Sequence, residues 1–337
     1  MQIIEYSYIV RELAQLEGKH FSKIYKMDEN SFRLKIGDSH VMIKLPFSVG
    51  IAKYITEGKE LDNFTEAIKK ILHNQKLQKI CQCGRDRILS FEFKYNILFL
   101  EMFANGNIIL TDKNKKILKV FREEKWRERT IAKGLEYIIP QSGIVENIEN
   151  TLCKKYIVVC LLKLPLGKEY IKEMLARCGI EEKKPGVSLT KNEICCLEKE
   201  FVDIANNQKS YLFLENGTPV DFGLIKFKKY EKLETKEMPS LSEAMEEFYT
   251  TMSKTQKNEE MQKLERRLKE QELRLEELKK EEFENNGAGD YLYANYQKIE
   301  ELLEIAKKAG INNLDFALKN YKISKINKEK KEIELDL

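Results

Sequence analysis

Three charges in a row, Arg85, Asp86 and Arg87, stand immediately before the apolar run ILSFEF at 88–93. An acid between two bases at the mouth of a strand has two readings. It can be an exposed ion pair, which contributes little to stability. It can also offer a planar guanidinium to phosphate or a base edge, with the carboxylate accepting from base amino groups or orienting the arginine. A second concentration, KWRER at 125–129, holds the one tryptophan of the chain between bases. Trp126 can stack on a nucleobase or serve as a half-buried anchor. Arg127 and Arg129 fall on the same side of this run and are the better RNA candidates.

Other chemistries lack their residues. Cysteines stand at 81, 83, 153, 160, 178, 195 and 196, in C-x-C and C-C pairs. Zinc sites usually take two spaced C-x-x-C pairs, often with histidine, and His20, His40 and His73 lie far from any such spacing. Reduced thiols are the expectation. The sequence holds no G-x-x-x-x-G-K-[ST], H-E-x-x-H or G-x-S-x-G. No metal, no cofactor and no catalytic residue is expected, and general acid–base work would fall to carboxylates.

The supporting frame is large. A chain of 337 residues predicts two or three domains. Hydrophobic residues make up 42%, enough for a core, and charged residues 34%, which points to long solvated helices or a polyanionic partner. Net charge is only +4, so any basic function rests on local patches. No apolar run reaches the length of a membrane span, and MQIIEYSYIVREL does not read as a signal peptide.

Residues 4–16 place Ile4, Tyr8, Ile9, Leu13 and Leu16 at helical spacing. HFSKIYK, SFRLKI and HVMIKL follow, separated by turn residues, and predict an antiparallel meander. DNFTEAIKKILH (62–73) predicts an amphipathic helix capped by Asp62 or Asn63. RILSFEFKY, ILFLEMF, NIILT and KKILKVF predict a second meander with an Asn105-Gly106 turn, and Ser90 and Glu92 on its polar side. The expected fold class is α+β on antiparallel sheet.

Residues 150–205 are expected to be helical, with breaks at Pro165-Leu166-Gly167 and Cys178-Gly179-Ile180. YLFLENGTPVDFG predicts a short β pair turning at Asn216-Gly217. From 240 to 284, Met261, Leu264, Leu268, Leu275 and Leu278 fall on a and d positions, with Gln271 as a polar d, and predict a coiled coil. NNGAG at 285–289 is expected to end it. A helix over 290–308 follows, with Tyr293, Tyr296, Ile299, Leu302, Leu303 and Ala306 as its apolar face, and then a tail alternating like a strand.

RDRILSFEF, FANGNIILTDKNKKIL and WRERTIAKGLEYIIP resemble, in this order, the N-terminal part of the NFACT family, which includes bacterial and archaeal RqcH and eukaryotic NEMF. LPLGKEYIKEMLARCGI resembles its helix-hairpin-helix segment. KLERRLKEQELRLEELKKE and DYLYANYQKIEELLEIAKKA are similar to its coiled-coil segment. The resemblance implies an N-terminal α+β domain (1–148) with the fold of formamidopyrimidine-DNA glycosylases. It further implies a helix-hairpin-helix-like segment with a short β hairpin (149–237) and a coiled-coil arm and tip (238–337). It implies a cytoplasmic, ribosome-associated factor that binds large ribosomal subunits holding peptidyl-tRNA. Such a factor recruits tRNA for untemplated, alanine-type tailing. The tailing uses the ribosomal peptidyl transferase centre, so the chain is expected to be no enzyme itself.

The Asp-Arg pair implicated in tRNA handling in that family maps onto Asp86 and Arg87, and its N-terminal acid onto Glu5. With Arg85, Arg122, Trp126, Arg127 and Arg129 these make up the expected tRNA-contacting set. Departures are visible. The basic, histidine-bearing stretch after the third strand is not evident in KLPFSVGIAKYI, and the L-R-K motif of the next helix reads Ile68-Lys69-Lys70, which keeps charge but loses the bidentate fork. The return helix of the coiled coil and the RNA-binding domain are expected to be absent, so the chain is either a truncated product or one half of a split protein, and in the second case a separate polypeptide carrying that half is an expected partner. Two rivals stand beside this. A DNA glycosylase would use a mature N-terminal proline, which Met-Gln-Ile-Ile lacks. A fibronectin-binding adhesin would need export.

Overall fold

The computed structural model describes residues 1–55, 62–126, 129–140, 143–145, 147–309, 323–327 and 332–335. Two compact units divide it, Met1–Lys254 and Thr255–Leu337.

The first unit opens with α1 (Ile3–Leu13). Its Ile4, Ile9 and Leu13 are buried at helical spacing. Four antiparallel strands follow in sequence order: β1 (Phe21–Lys26), β2 (Ser31–Ile36), β3 (Ser39–Lys44) and β4 (Ser48–Ala52). The fourth, SVGIA, carries no polar alternation because Ser48, Val49 and Gly50 are all buried, which is why strand periodicity does not reveal it. Helix α2 (Asn63–Leu72) starts at Asp62, whose side chain accepts from Thr65 N–H at 2.8 Å.

A second sheet has the order β5 (Leu77–Gln82), β6 (Ile88–Phe93), β7 (Asn96–Glu101), β8 (Asn107–Asp112), β9 (Ile117–Val120), all antiparallel. Strand β5 is the second element that the spacing of the sequence does not announce. The sheet is apolar on both faces. Leu89, Phe91 and Phe93 enter the main core, while Ile88 joins Phe99, Ile109, Ile117, Ile131 and Tyr137 on the other side. Ser90, expected on a polar face, is therefore buried. The Asn105-Gly106 turn is also wider than a two-residue hairpin: Gly106 N–H donates to Phe103 O at 2.9 Å, and Ala104, not Asn105, takes positive φ. A two-stranded arm, β10 (Glu124–Lys125) and β11 (Thr130–Ile131), extends from this sheet. The sheets meet where β1 and β5 exchange backbone bonds around His20 and Lys76. Phe21 and Phe93 seal that seam edge to face at 5.8 Å.

The helical stretch contains α3 (Ile157–Leu161), α4 (Lys168–Arg177) and α5 (Lys191–Asn206). Cys178 and Cys196 form a disulfide between the end of α4 and α5, which corrects the expectation of reduced thiols for this pair. A three-stranded sheet, β13 (Thr218–Gly223), β12 (Tyr211–Glu215), β14 (Glu234–Glu237), adds one strand to the predicted pair. One core runs from Ile4 through Leu175 and Phe213 to Met245. Met245 lies on the long helix α6 (Leu241–Ala294), whose residues through Lys254 belong to this unit. Its first turn is fixed by Glu12, which accepts from Leu241 N–H (2.6 Å) and Ser242 N–H (3.1 Å).

In the second unit α6 continues through NNGAG, so the expected break moves to Asn295, ahead of α7 (Tyr296–Ala309). Glycine inside a helix costs about 1 kcal/mol but clashes with nothing. Met261, Leu264, Leu268, Leu275 and Leu278 are all exposed. Of the face predicted for the last helix, Leu302 is buried, with Ile305 and Ala306 beside it and Ile323 and Ile333 opposite, whereas Tyr293, Tyr296 and Leu303 are exposed. Strands β15 (Ile323–Asn327) and β16 (Glu332–Leu335) pair antiparallel. Among the described residues no helix is long and apolar enough to cross a membrane.

Candidate functional site

The chain leaves β5 at Gln82 and must reverse within five residues to enter β6. Gly84 and Arg85 achieve this with successive positive φ values of 60° and 52°. A left-handed arginine is uncommon and mildly strained, and here it sits one residue from the acid of the motif. Asp86 N–H closes the turn on Cys83 O at 3.1 Å. Asp86 Oδ1 accepts from Arg87 N–H at 2.7 Å, while the Arg87 Nε stands 4.0 Å from that same oxygen. The carboxylate thus shapes the backbone, and the guanidinium is only loosely held. The Arg87 side chain is 46% exposed.

Neighbours complete a rim. Arg87 O accepts from Met102 N–H at 2.8 Å, which places the next residue, half-buried Phe103, beside it. The Arg87 and Arg129 guanidinium groups lie 6.0 Å and 5.7 Å from the Phe103 ring. Gln82 ties this loop to the start of the chain: its Nε2 donates to Asp86 O at 2.8 Å and to Ile3 O at 3.2 Å. Phe103 and Gln82 were not singled out by sequence. The only local signal for Phe103 is its place before the ANG turn.

The remaining candidates divide. Trp126 is 46% exposed on the β10–β11 arm, with Nε1 donating to Glu124 at 3.0 Å. Arg127 lies outside the described residues. Arg129, an RNA candidate by sequence, turns inward. Its fork is bidentate to Glu101, which is 2% exposed and also accepts from Tyr137 O–H at 2.8 Å. Arg122 is likewise engaged: it donates to Asn105 O (2.9 Å) and Gly106 O (2.6 Å) and also to Asn30 Oδ1. These two guanidinium groups hold loops together. Arg85 is exposed beside the pair.

A family profile described as NFACT N-terminal and middle domains matches residues 4–337. The chain belongs to the NFACT family. The archaeal Rqc2 homolog aRqcH of Methanocaldococcus jannaschii is 31% identical, over 96% of this NFACT chain and 54% of that protein. The ribosome quality control complex subunit NEMF of Homo sapiens is 23% identical, over 90% of this chain and 33% of that protein. The chain thus spans about half the length of the archaeal relative and a third of the human one. Among solved structures, the fibrinogen binding protein from Staphylococcus aureus superposes with a TM-score of 0.59 at 19% identity, over 74% of this chain and 98% of that one. The N-terminal part of the fibronectin/fibrinogen-binding protein from Streptococcus suis gives 0.58 at 19%, over 74% and 99%. Both share the fold.

Glu5 of this NFACT chain is not on the Arg87 rim. It is 3% exposed, accepts from Gln2 N–H (2.5 Å) and Tyr170 O–H (2.9 Å), and lines a cavity of about 150 Å³. Burial pushes its carboxyl up, against the opposing pull of the Met1 ammonium. Tyr6, buried on the same turn, feels the charges of Glu5 and of Asp86 and Arg87, so the cavity and the rim are electrostatic neighbours. Its hydroxyl has no hydrogen-bond partner among the described residues.

Proposed function

We propose that this chain works in ribosome-associated quality control. It binds large ribosomal subunits that still hold peptidyl-tRNA and recruits tRNA for untemplated, alanine-type tailing. The bond-forming chemistry belongs to the ribosomal peptidyl transferase centre, and the chain acts in the cytoplasm as a binder. The names of its curated relatives support this reading. The observation that carries it is Arg87: a loosely held, exposed fork at a turn shaped by Asp86, beside an aromatic ring. Such a group suits phosphate or a base edge. Arg85 adds attraction and Trp126 a stacking face.

The finer architecture belongs to the same proposal. The turn between α3 and α4, with Gly167 at the N-cap of α4, supports a helix-hairpin-helix role near phosphate. The five exposed a and d residues of α6 support a coiled coil completed by a second helix. The N-terminal domain takes a fold like that of formamidopyrimidine-DNA glycosylases in this proposal, without their excision chemistry.

The test is co-sedimentation with large subunits followed by sequencing of bound RNA. Arg87→Ala is expected to lose tRNA and keep the subunit. Equal tRNA recovery from mutant and wild type would remove Arg87 from the site, and loss of both ligands would point to a general folding defect instead.

A further inference from the structure

The end of the second sheet opposite the Arg87 rim carries lysines where the rim carries arginines. Register fixes which residues share that end: Leu77 pairs with Phe93, Asn96 with Asp112, and Thr111 with Ile117. Strand β6 is six residues long, so roughly 20 Å of strand rise separates this end from Arg87. Lys76 and Lys79 flank the start of β5, Lys94 sits in the β6–β7 turn, and Lys113, Lys115 and Lys116 sit in the β8–β9 turn; all are exposed. They form one patch, because Lys113 Nζ donates to Gln78 Oε1 at 3.2 Å although β6 and β7 lie between their strands. The acids nearby do not cancel them. Asp112 turns its Oδ1 to the Asn114 and Lys116 N–H groups, both at 2.9 Å, and so shapes its turn much as Asp86 shapes the other. Glu92 stands opposite Lys79 and Glu136 opposite Lys116 in register. Among the described residues, none of these lysines is held in an ion pair. Lys94 lies 4.9 Å over the ring of Tyr95, which is itself 60% exposed.

We propose that this patch is a second RNA contact, one that grips the phosphate backbone of an RNA helix without reading its bases. Lysine is a point charge and lacks the planar fork that recognises a phosphate or base edge bidentately. A cluster of lysines binds phosphates by releasing counterions, whatever the sequence. A protein partner fits less well. Lysine is depleted at protein interfaces, and Gln78 and Asn114, which stand between the lysines, give the patch no apolar centre. The separation from Arg87 assigns the two ends of the sheet to different RNA segments. The patch shares with the proposed function only RNA as the partner; it needs neither tRNA nor Arg87.

The full chain is titrated into a labelled, mixed-sequence RNA duplex at several salt concentrations, with labelled polyglutamate as the protein-like polyanion. The duplex is expected to bind roughly tenfold tighter than polyglutamate. Lys94→Gln, Lys113→Gln and Lys116→Gln together should weaken duplex binding roughly tenfold and reduce the slope of log affinity against log salt by about two to three. The three corresponding arginine replacements should retain both. Unchanged affinity and slope in the glutamine variant, or equal binding of polyglutamate, would overturn the proposal. If that variant fails to fold, a footprint on the native chain decides. The duplex should shield the three amines severalfold from acetylation by an N-hydroxysuccinimide ester, and equal labelling with and without RNA would also sink the assignment. Any of these failures leaves the Arg87 test on tRNA standing by itself.

Discussion

Arg129 holds Glu101 with both arms of its fork, Nη1 to Oε1 at 2.6 Å and Nη2 to Oε2 at 3.0 Å. Glu101 is 2% exposed and the Arg129 side chain 13%. Removing one partner of a buried pair strands the other charge, which costs about 3–5 kcal/mol. Arg129→Ala should therefore unfold at a much lower urea concentration than wild type. Arg87→Ala, at an exposed site with a 4.0 Å ion pair, should shift stability by no more than about 0.5 kcal/mol. Urea titrations of the two variants side by side check the contrast.

That contrast also marks what the sequence could tell. Turn residues between short runs announced β1 and β2, and Asp62 was readable as a cap from its place before an amphipathic run. Strands β4 and β5 were not, because one is short and buried at its start and the other has adjacent exposed residues in Gln78 and Lys79. At the site, local order revealed Asp86 and Arg87 as neighbours. It could not reveal that Arg129 folds back 28 residues onto Glu101, or that Arg122 reaches Asn30 across 92. Charge type is legible in one dimension, whereas the partner that consumes the charge is not.

Gly167 joins the start of α4 to the start of α1. Its φ is +101°, and an added Cβ would come within 2.8 Å of the Gln2 Cβ and 3.2 Å of the Ile3 nitrogen. Leu166 O beside it accepts from Ile4 N–H at 3.1 Å. Gly167→Ala should destabilise by more than about 1 kcal/mol, since both the backbone and the contact resist a side chain. Adding Gln2→Gly should recover only part of the loss, because it removes the Gln2 side-chain contact and leaves the Ile3 nitrogen and the φ. Thermal unfolding of the single and double variants separates the two contributions.

Glu193 should make folding sensitive to acid. The Lys184 ammonium, 2.6 Å away, and the Thr190 N–H and hydroxyl hold its carboxyl down at about 2, from a usual 4.5. A depressed carboxylate stabilises the fold fully above its unfolded value, and this contribution fades as pH falls from there toward the folded one. Stability measured by urea between neutral pH and pH 2 should therefore decline more for wild type than for Glu193→Gln, which is weaker at neutral pH. Parallel pH profiles for the two proteins would remove the capping box of α5 as an acid-sensitive element.

Gln82 should act on RNA through position and not charge. Its amide holds Asp86 O at 2.8 Å and Ile3 O at 3.2 Å, which fixes the turn that carries Arg87 against α1. Gln82→Ala keeps every charge of the rim but leaves this loop without its tether. Affinity for tRNA should fall severalfold while the slope of log affinity against log salt stays that of wild type. Arg87→Ala removes a phosphate partner, so its affinity should fall and the slope should drop by about one. If Gln82→Ala also flattens the slope, its effect runs through lost ion contacts. If it leaves affinity untouched, the turn holds its shape without the tether, and the left-handed Gly84-Arg85 backbone is sufficient to present Arg87.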